Sequence, residues 1–100
     1  MDELGIPVAA QRDPQSWELM RAWVAENNLH MVLNIGVYEE SGMLEEQAWG
    51  MILSDAARHV AAAIAERFSR GEEEALRRIR AYLEAELDNP TSEARKDFDA

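Results

Sequence analysis

Asp55 and His59 stand four residues apart, with Arg58 between them, in a stretch whose apolar residues recur at helical spacing. On a helix, residues i and i+4 share a face, so a carboxylate there can hydrogen-bond an imidazole and hold it in the tautomer that a general base or a metal ligand needs. Asp55, Arg58 and His59 are therefore the candidate catalytic residues. The same three residues also make an ordinary helix-surface arrangement, Asp55 pairing with Arg58 or His59, which asks for nothing beyond helix stability. His59 borders Ile52 on the helical wheel, and partial burial is expected for it. His30 is the other histidine of the chain. With His59 and Asp55 it would complete a candidate metal set of two imidazoles and a carboxylate, although residues on separate elements carry no spacing signature and a strand histidine reads more simply as a surface or interface residue.

Other groups have bland readings beside the sharp ones. Glu39, Glu40, Glu45 and Glu46 bracket a connection with no basic residue in it; they lack the alternating oxygen ligands and central glycine of a calcium loop and read as a solvated acidic loop. Trp17, Trp23 and Trp49 could line a small-molecule pocket, but such residues serve more often as core or interface anchors. Arg12 and Arg21 could hold an acidic ligand, or simply balance nearby carboxylates. No phosphate-cradling glycine loop, Gly-x-Ser-x-Gly elbow, His-Glu-x-x-His helix or basic stripe with interleaved aromatics occurs, and the chain has no cysteine. Disulfides, thiolate zinc sites and cysteine nucleophiles are excluded, and no cofactor is expected.

The elements that must position these groups follow from periodicity. Asp13 before Pro14 is a helix-start signal, and Trp17, Met20 and Val24 share one face while Leu19 and Trp23 point the other way; this predicts a first helix over about 14–27 with two apolar sides. Residues 29–37 alternate, Leu29, Met31, Leu33, Ile35 and Val37 against His30, Val32, Asn34, Gly36 and Tyr38, and predict the one strand. A single strand cannot satisfy its own backbone, so either residues 4–9 or the same strand of a second subunit must pair with it. A long second helix is predicted over about 44–70, striped by Trp49, Ile52, Leu53, Ala56, Val60, Ala63 and Ile64, and a third over about 73–88 on Leu76, Ile79, Leu83 and Leu87. The short break at Gly71 makes those two helices a hairpin. The fold class is α+β: a small sheet on 29–37 with three helices, in one domain over 1–90, followed by a mobile polar tail over 91–100.

One hundred residues suit a single domain, and 47% apolar with 30% charged residues is the mixture of a globular chain. The net charge of −10 opposes binding to phosphate backbones and anionic lipid, so neither nucleic acid nor membrane is an expected partner. The first ten residues lack a basic start and a long apolar run, so secretion is not expected and a cytoplasmic location is.

Three segments in order carry a resemblance: Leu19-Met20-Arg21-Ala22-Trp23; His30-Met31-Val32-Leu33-Asn34-Ile35-Gly36; and Ala48-Trp49-Gly50-Met51-Ile52-Leu53-Ser54-Asp55-Ala56-Ala57-Arg58-His59-Val60-Ala61. Over roughly residues 6–68 the chain resembles a family of short bacterial proteins, chiefly alphaproteobacterial, known as a domain of unknown function. The resemblance implies no activity. It draws attention to Trp49, Gly50, Asp55, Arg58 and His59, and fits least well over Ser41–Glu46.

The leading expectation is a small non-catalytic protein-interaction domain acting as a homodimer, motivated by a strand without a partner and a helix with two apolar faces. Trp23, Leu19, Val32 and Tyr38 are its expected interface residues. The alternative is a small enzyme or a metal- or ligand-binding domain centred on Asp55 and His59. Association through the acidic loop with another protein is a third possibility.

Overall fold

Asp13 and Pro14 decide the path of the first third of the chain. In the computed structural model, which describes residues 3–91, Asp13 accepts the Gln15 N–H on its side chain (2.9 Å) and the Ser16 N–H on its carbonyl (3.1 Å). That is a β-turn with aspartate first and proline second, a placement both residues favour. The Ser16 hydroxyl locks it by donating to the carbonyls of Ala10 and Asp13. The elements run α1 (Val8–Arg12), β1 (Met20–Ala25), β2 (Asn28–Leu33), α2 (Val37–Glu40), α3 (Glu45–Phe68) and α4 (Glu72–Asp88).

The helix expected over 14–27 is therefore absent, and its second half is a strand. Met20, Ala22 and Val24 fit a period of two as well as a period near 3.6, and the antiparallel pairing of β1 with β2 settles the choice. The turn between them, Glu26-Asn27, has both residues at positive φ (52° and 64°). Two such residues make the loop whose twist matches flanking strands. Asparagine tolerates the left-handed region, and here Asn27 uses it to turn a hairpin where the expected helix would have ended. The strand expected over 29–37 runs Asn28–Leu33, because β1 begins at Met20 and only the Asn34 N–H to Leu19 carbonyl bond (2.9 Å) extends the ladder. Gly36, at φ 109°, then breaks the extended chain, and Val37 and Tyr38 belong to α2. The partner of β2 is thus neither residues 4–9 nor, on this edge, a second subunit. It is the preceding strand.

The described residues divide into two units, 3–35 and 36–91. The first holds the hairpin and α1. Opposed residues lie on the same face of an antiparallel pair, so Met20/Leu33, Ala22/Met31 and Val24/Leu29 make one wholly apolar face, and Arg21/Val32, Trp23/His30 and Ala25/Asn28 make a mixed one.

The second unit is helical. α3 ends where Ser69 takes the left-handed position (φ 54°), with the Arg70 N–H reaching the Ala65 carbonyl; Gly71, in the break between the helices, is the extended residue that opens α4. α3 and α4 contact one another; Ala48 and Ala61 are the buried residues of α3 and Ala75 that of α4. Small side chains there let the two backbones approach. Glu72, Glu73 and Glu74 fall in the first turn of α4, where the helix dipole favours negative charge, and Glu74 pairs with both Arg77 and Arg78. Among the described residues, the two-stranded antiparallel sheet and four helices make an α+β fold. No described helix is long and apolar enough to cross a membrane. Of the polar tail expected over 91–100, all but Thr91 lies outside the described residues.

Candidate functional site

Two glutamates close two helix starts on each other. The Glu45 carboxylate, in the first turn of α3, accepts the Gly36 N–H at 2.8 Å and the Glu39 N–H at 3.1 Å, both at the start of α2. In return, Glu39 accepts the Glu45 N–H at 3.0 Å. Helix starts carry N–H groups without intrahelical partners, and a carboxylate satisfies them with charge as well as geometry. The Trp49 indole N–H, one turn on, donates to the same Glu45 oxygen at 3.0 Å. These donors, the Gly36 N–H first, hold the Glu45 carboxyl below its ordinary range despite an opposing effect of desolvation. The acidic run 39–46 is therefore a structural joint rather than a loop solvated throughout. Its sequence signal is spacing: Glu45 and Trp49 are four apart on one helix, and Gly36 supplies the left-handed residue from which α2 can begin.

The candidate catalytic residues lie in the middle of α3. Asp55, Arg58 and His59 are all exposed, so the partial burial expected of His59 is not found. An Arg58 nitrogen lies 3.4 Å from an Asp55 oxygen, an ion pair between two largely exposed side chains. Such pairs contribute little to stability and create no dry site. His30 sits on the mixed face of the hairpin opposite Trp23, its Nε2 3.0 Å from the Ala25 carbonyl, so the Nε2–H tautomer bonds within its own hairpin. Among the described residues no group of three or more histidine, aspartate or glutamate side chains is placed to hold a metal ion.

The expected interface residues fall on three elements. Trp23 and Val32 share the mixed face of the hairpin and are exposed, while Leu19, just before β1, and Tyr38, on α2, are half-buried. An open groove of about 760 Å³ runs between residues 3–11 and β1, with Leu4, Ile6, Trp17 and Trp23 in its lining. Its Arg21 guanidinium is engaged by both oxygens of Glu18, at 2.9 to 3.3 Å, and is not free for an acidic ligand.

The feature that periodicity alone did not reveal is how little of this apolar surface is covered. No residue of 3–35 is buried, and across the described chain Ala48, Ala61 and Ala75 alone are. Val24 is 80% exposed and Leu29 54%. On α3, Leu53 is 49% and Val60 50% exposed. The stripe expected on that helix exists, but much of it faces outward.

The chain matches, over residues 3–91, the family described as a domain of unknown function, DUF5076. It belongs to that family. No curated protein matches it. Four chains of solved structures do, among them one described as a "putative pyruvate dehydrogenase" from the photosynthetic bacterium Rhodopseudomonas palustrus. The two are 28% identical and superpose with a TM-score of 0.74, over 100% of this chain and 97% of the other. Within this DUF5076 chain the residues that carried the resemblance have separable roles. Trp49 holds Glu45 in the joint, Asp55 and Arg58 pair on the surface, and Gly50 has nothing within 4 Å of where a side chain would begin.

Proposed function

We propose that the chain is a non-catalytic protein-interaction domain that works as a homodimer in the cytoplasm. One observation carries this reading: a hairpin and two long helices whose large apolar side chains are all at least partly exposed. A two-stranded sheet is marginal in water without cover on one face, and burial of apolar side chains is the main favourable term in folding. A chain that stops short of burying them completes its core against another surface. Because β1 pairs with β2, the strand needs no second subunit; the exposed apolar residues of the hairpin and of α3 support the dimer instead. The net charge of −10 speaks against nucleic acid and anionic membrane as the other surface.

The description given to the Rhodopseudomonas protein suggests catalysis, and that suggestion stays with that protein. Here the best catalytic candidates are exposed and Asp55 is spent on Arg58, whereas general acid–base work calls for a positioned, partly desolvated group.

If folding depends on association, mass action makes the melting temperature rise with concentration. Thermal unfolding followed by circular dichroism across a hundredfold concentration range should show that rise. A melting temperature that does not move would argue for a self-sufficient monomer.

A further inference from the structure

The proposed homodimer leaves open how two copies meet, and on that reading the ladder of the hairpin supplies one contact. We infer that the outer edge of β2 pairs antiparallel with the same edge of a second copy, with Met31 opposite Met31 on a two-fold axis, so that two hairpins become one four-stranded sheet.

The register settles which backbone groups point outward. Asn34 donates its N–H to the Leu19 carbonyl, and along an antiparallel pair hydrogen-bonded and non-hydrogen-bonded positions alternate. Arg21/Val32, Trp23/His30 and Ala25/Asn28 are therefore the hydrogen-bonded pairs, and Met20/Leu33, Ala22/Met31 and Val24/Leu29 are not. The N–H and C=O groups of Leu29, Met31 and Leu33 point away from β1. The sheet has two strands among the described residues, so no third strand meets those groups. β2 runs through its register without a bulge and carries neither the lysine nor the proline that keeps an edge from pairing. The outer edge of β1 is less suited, because β1 borders the groove against residues 3–11 and carries Arg21, which is engaged by Glu18.

A second copy fits this edge better than a foreign strand does. With Met31 on the axis, Leu29 of each copy lies opposite Leu33 of the other, and all three outward residues find an outward partner. Opposed residues share a face, so the apolar sides of the two hairpins join into one floor. A two-stranded sheet is marginal in water, and three or more strands with an apolar face are needed for stability. A foreign strand would complete one hairpin; self-pairing completes two by a single contact. Charge favours the same occupant. Each copy carries a net charge of −10, yet from Asn27 to Tyr38 there is no aspartate, glutamate, lysine or arginine. The contact brings no carboxylates together. The two Glu26 side chains fall at opposite ends of the paired strands, about 34 Å apart at about 3.4 Å per residue, well beyond the screening length of about 8 Å at physiological salt.

The chain has no cysteine, so an introduced thiol reports one contact. Directly opposed residues of a hydrogen-bonded pair have Cα atoms about 5.5 Å apart, within disulfide range. Met31→Cys protein, refolded, checked for native circular dichroism and oxidised at micromolar concentration, should give a disulfide-linked product of twice the chain mass. Leu29→Cys alone should stay at single-chain mass, since its two thiols stand roughly 14 Å apart, and should cross-link when mixed in denaturant and refolded with Leu33→Cys. A folded Met31→Cys protein that stays at single-chain mass overturns the pairing, as does a Leu29→Cys protein that links to itself. Amide exchange on the unmodified protein gives a readout that no substitution can disturb: the outward amides of Leu29, Met31 and Leu33 should exchange as slowly as the inward ones of His30 and Val32, and fast exchange at the outward three overturns the proposal. Light scattering separates the two readings. A dimer whose outward amides exchange fast refutes this pairing and leaves the homodimer standing, whereas a monomer refutes both.

Discussion

Glu45 shows what a single carboxylate can do when neighbouring backbone points at it. Its acceptance of the Gly36 and Glu39 N–H groups ties α2 to the start of α3, and Trp49 fixes the rotamer from one turn away. Because its carboxyl titrates below the ordinary 4.5, the stability it contributes is complete above the ordinary carboxylate range and is lost as pH falls through the lowered value. Glu45→Gln should therefore lower the urea midpoint at pH 7, and the gap between variant and wild type should close on acidification towards pH 3; a gap that is constant with pH would mean the charge contributes nothing. The Asp55 and His59 pair makes the opposite expectation. Both are exposed, so His59→Ala should shift stability by less than about 0.5 kcal/mol, measured by the same urea titration, with the helical signal unchanged. The spacing of this pair was visible in the sequence, but its lack of burial was not, because exposure depends on what packs against α3. The joint at Glu45 was harder to see: an acidic cluster looks the same whether its carboxylates face solvent or a helix start.

Among the elements, the hairpin was hidden and the long helices were not. α3 and α4 lie within a few residues of where their apolar periodicity placed them, since a stripe sustained over four or more turns has one interpretation. Six-residue β1 had two. Met20, Ala22 and Val24 satisfied a helix and a strand alike, and the Asp13-Pro14 start signal, which serves turns equally well, tipped the reading towards helix. Pairing with β2 is a non-local fact that no local window contains. The Glu26-Asn27 turn gives a direct check on this hairpin. A glutamate in the left-handed region is strained, by roughly 1 kcal/mol relative to residues that accept it. Replacing the pair by Asn-Gly, through Glu26→Asn with Asn27→Gly, should raise stability by about 1 kcal/mol in thermal or urea unfolding. If the segment were helical, the introduced glycine would instead lower it by a similar amount.

At the scale of the molecule, the chain has the composition of a globular protein and the burial of an unfinished one. Nearly half of its residues are apolar, yet three alanines are the buried core among those described. Membership of the DUF5076 family over residues 3–91, and a shared fold with a bacterial protein at a TM-score of 0.74, show that this arrangement of elements is not peculiar to one sequence. A second protomer would reconcile composition with burial, and would make association part of folding rather than an addition to it. The proposal rests on that step, and molar mass tests it without a mutation or a label. Size-exclusion chromatography with multi-angle light scattering, at micromolar concentration and physiological salt, should return twice the 11.3 kDa of the chain; a single peak at the mass of one chain, still folded by circular dichroism, would contradict it.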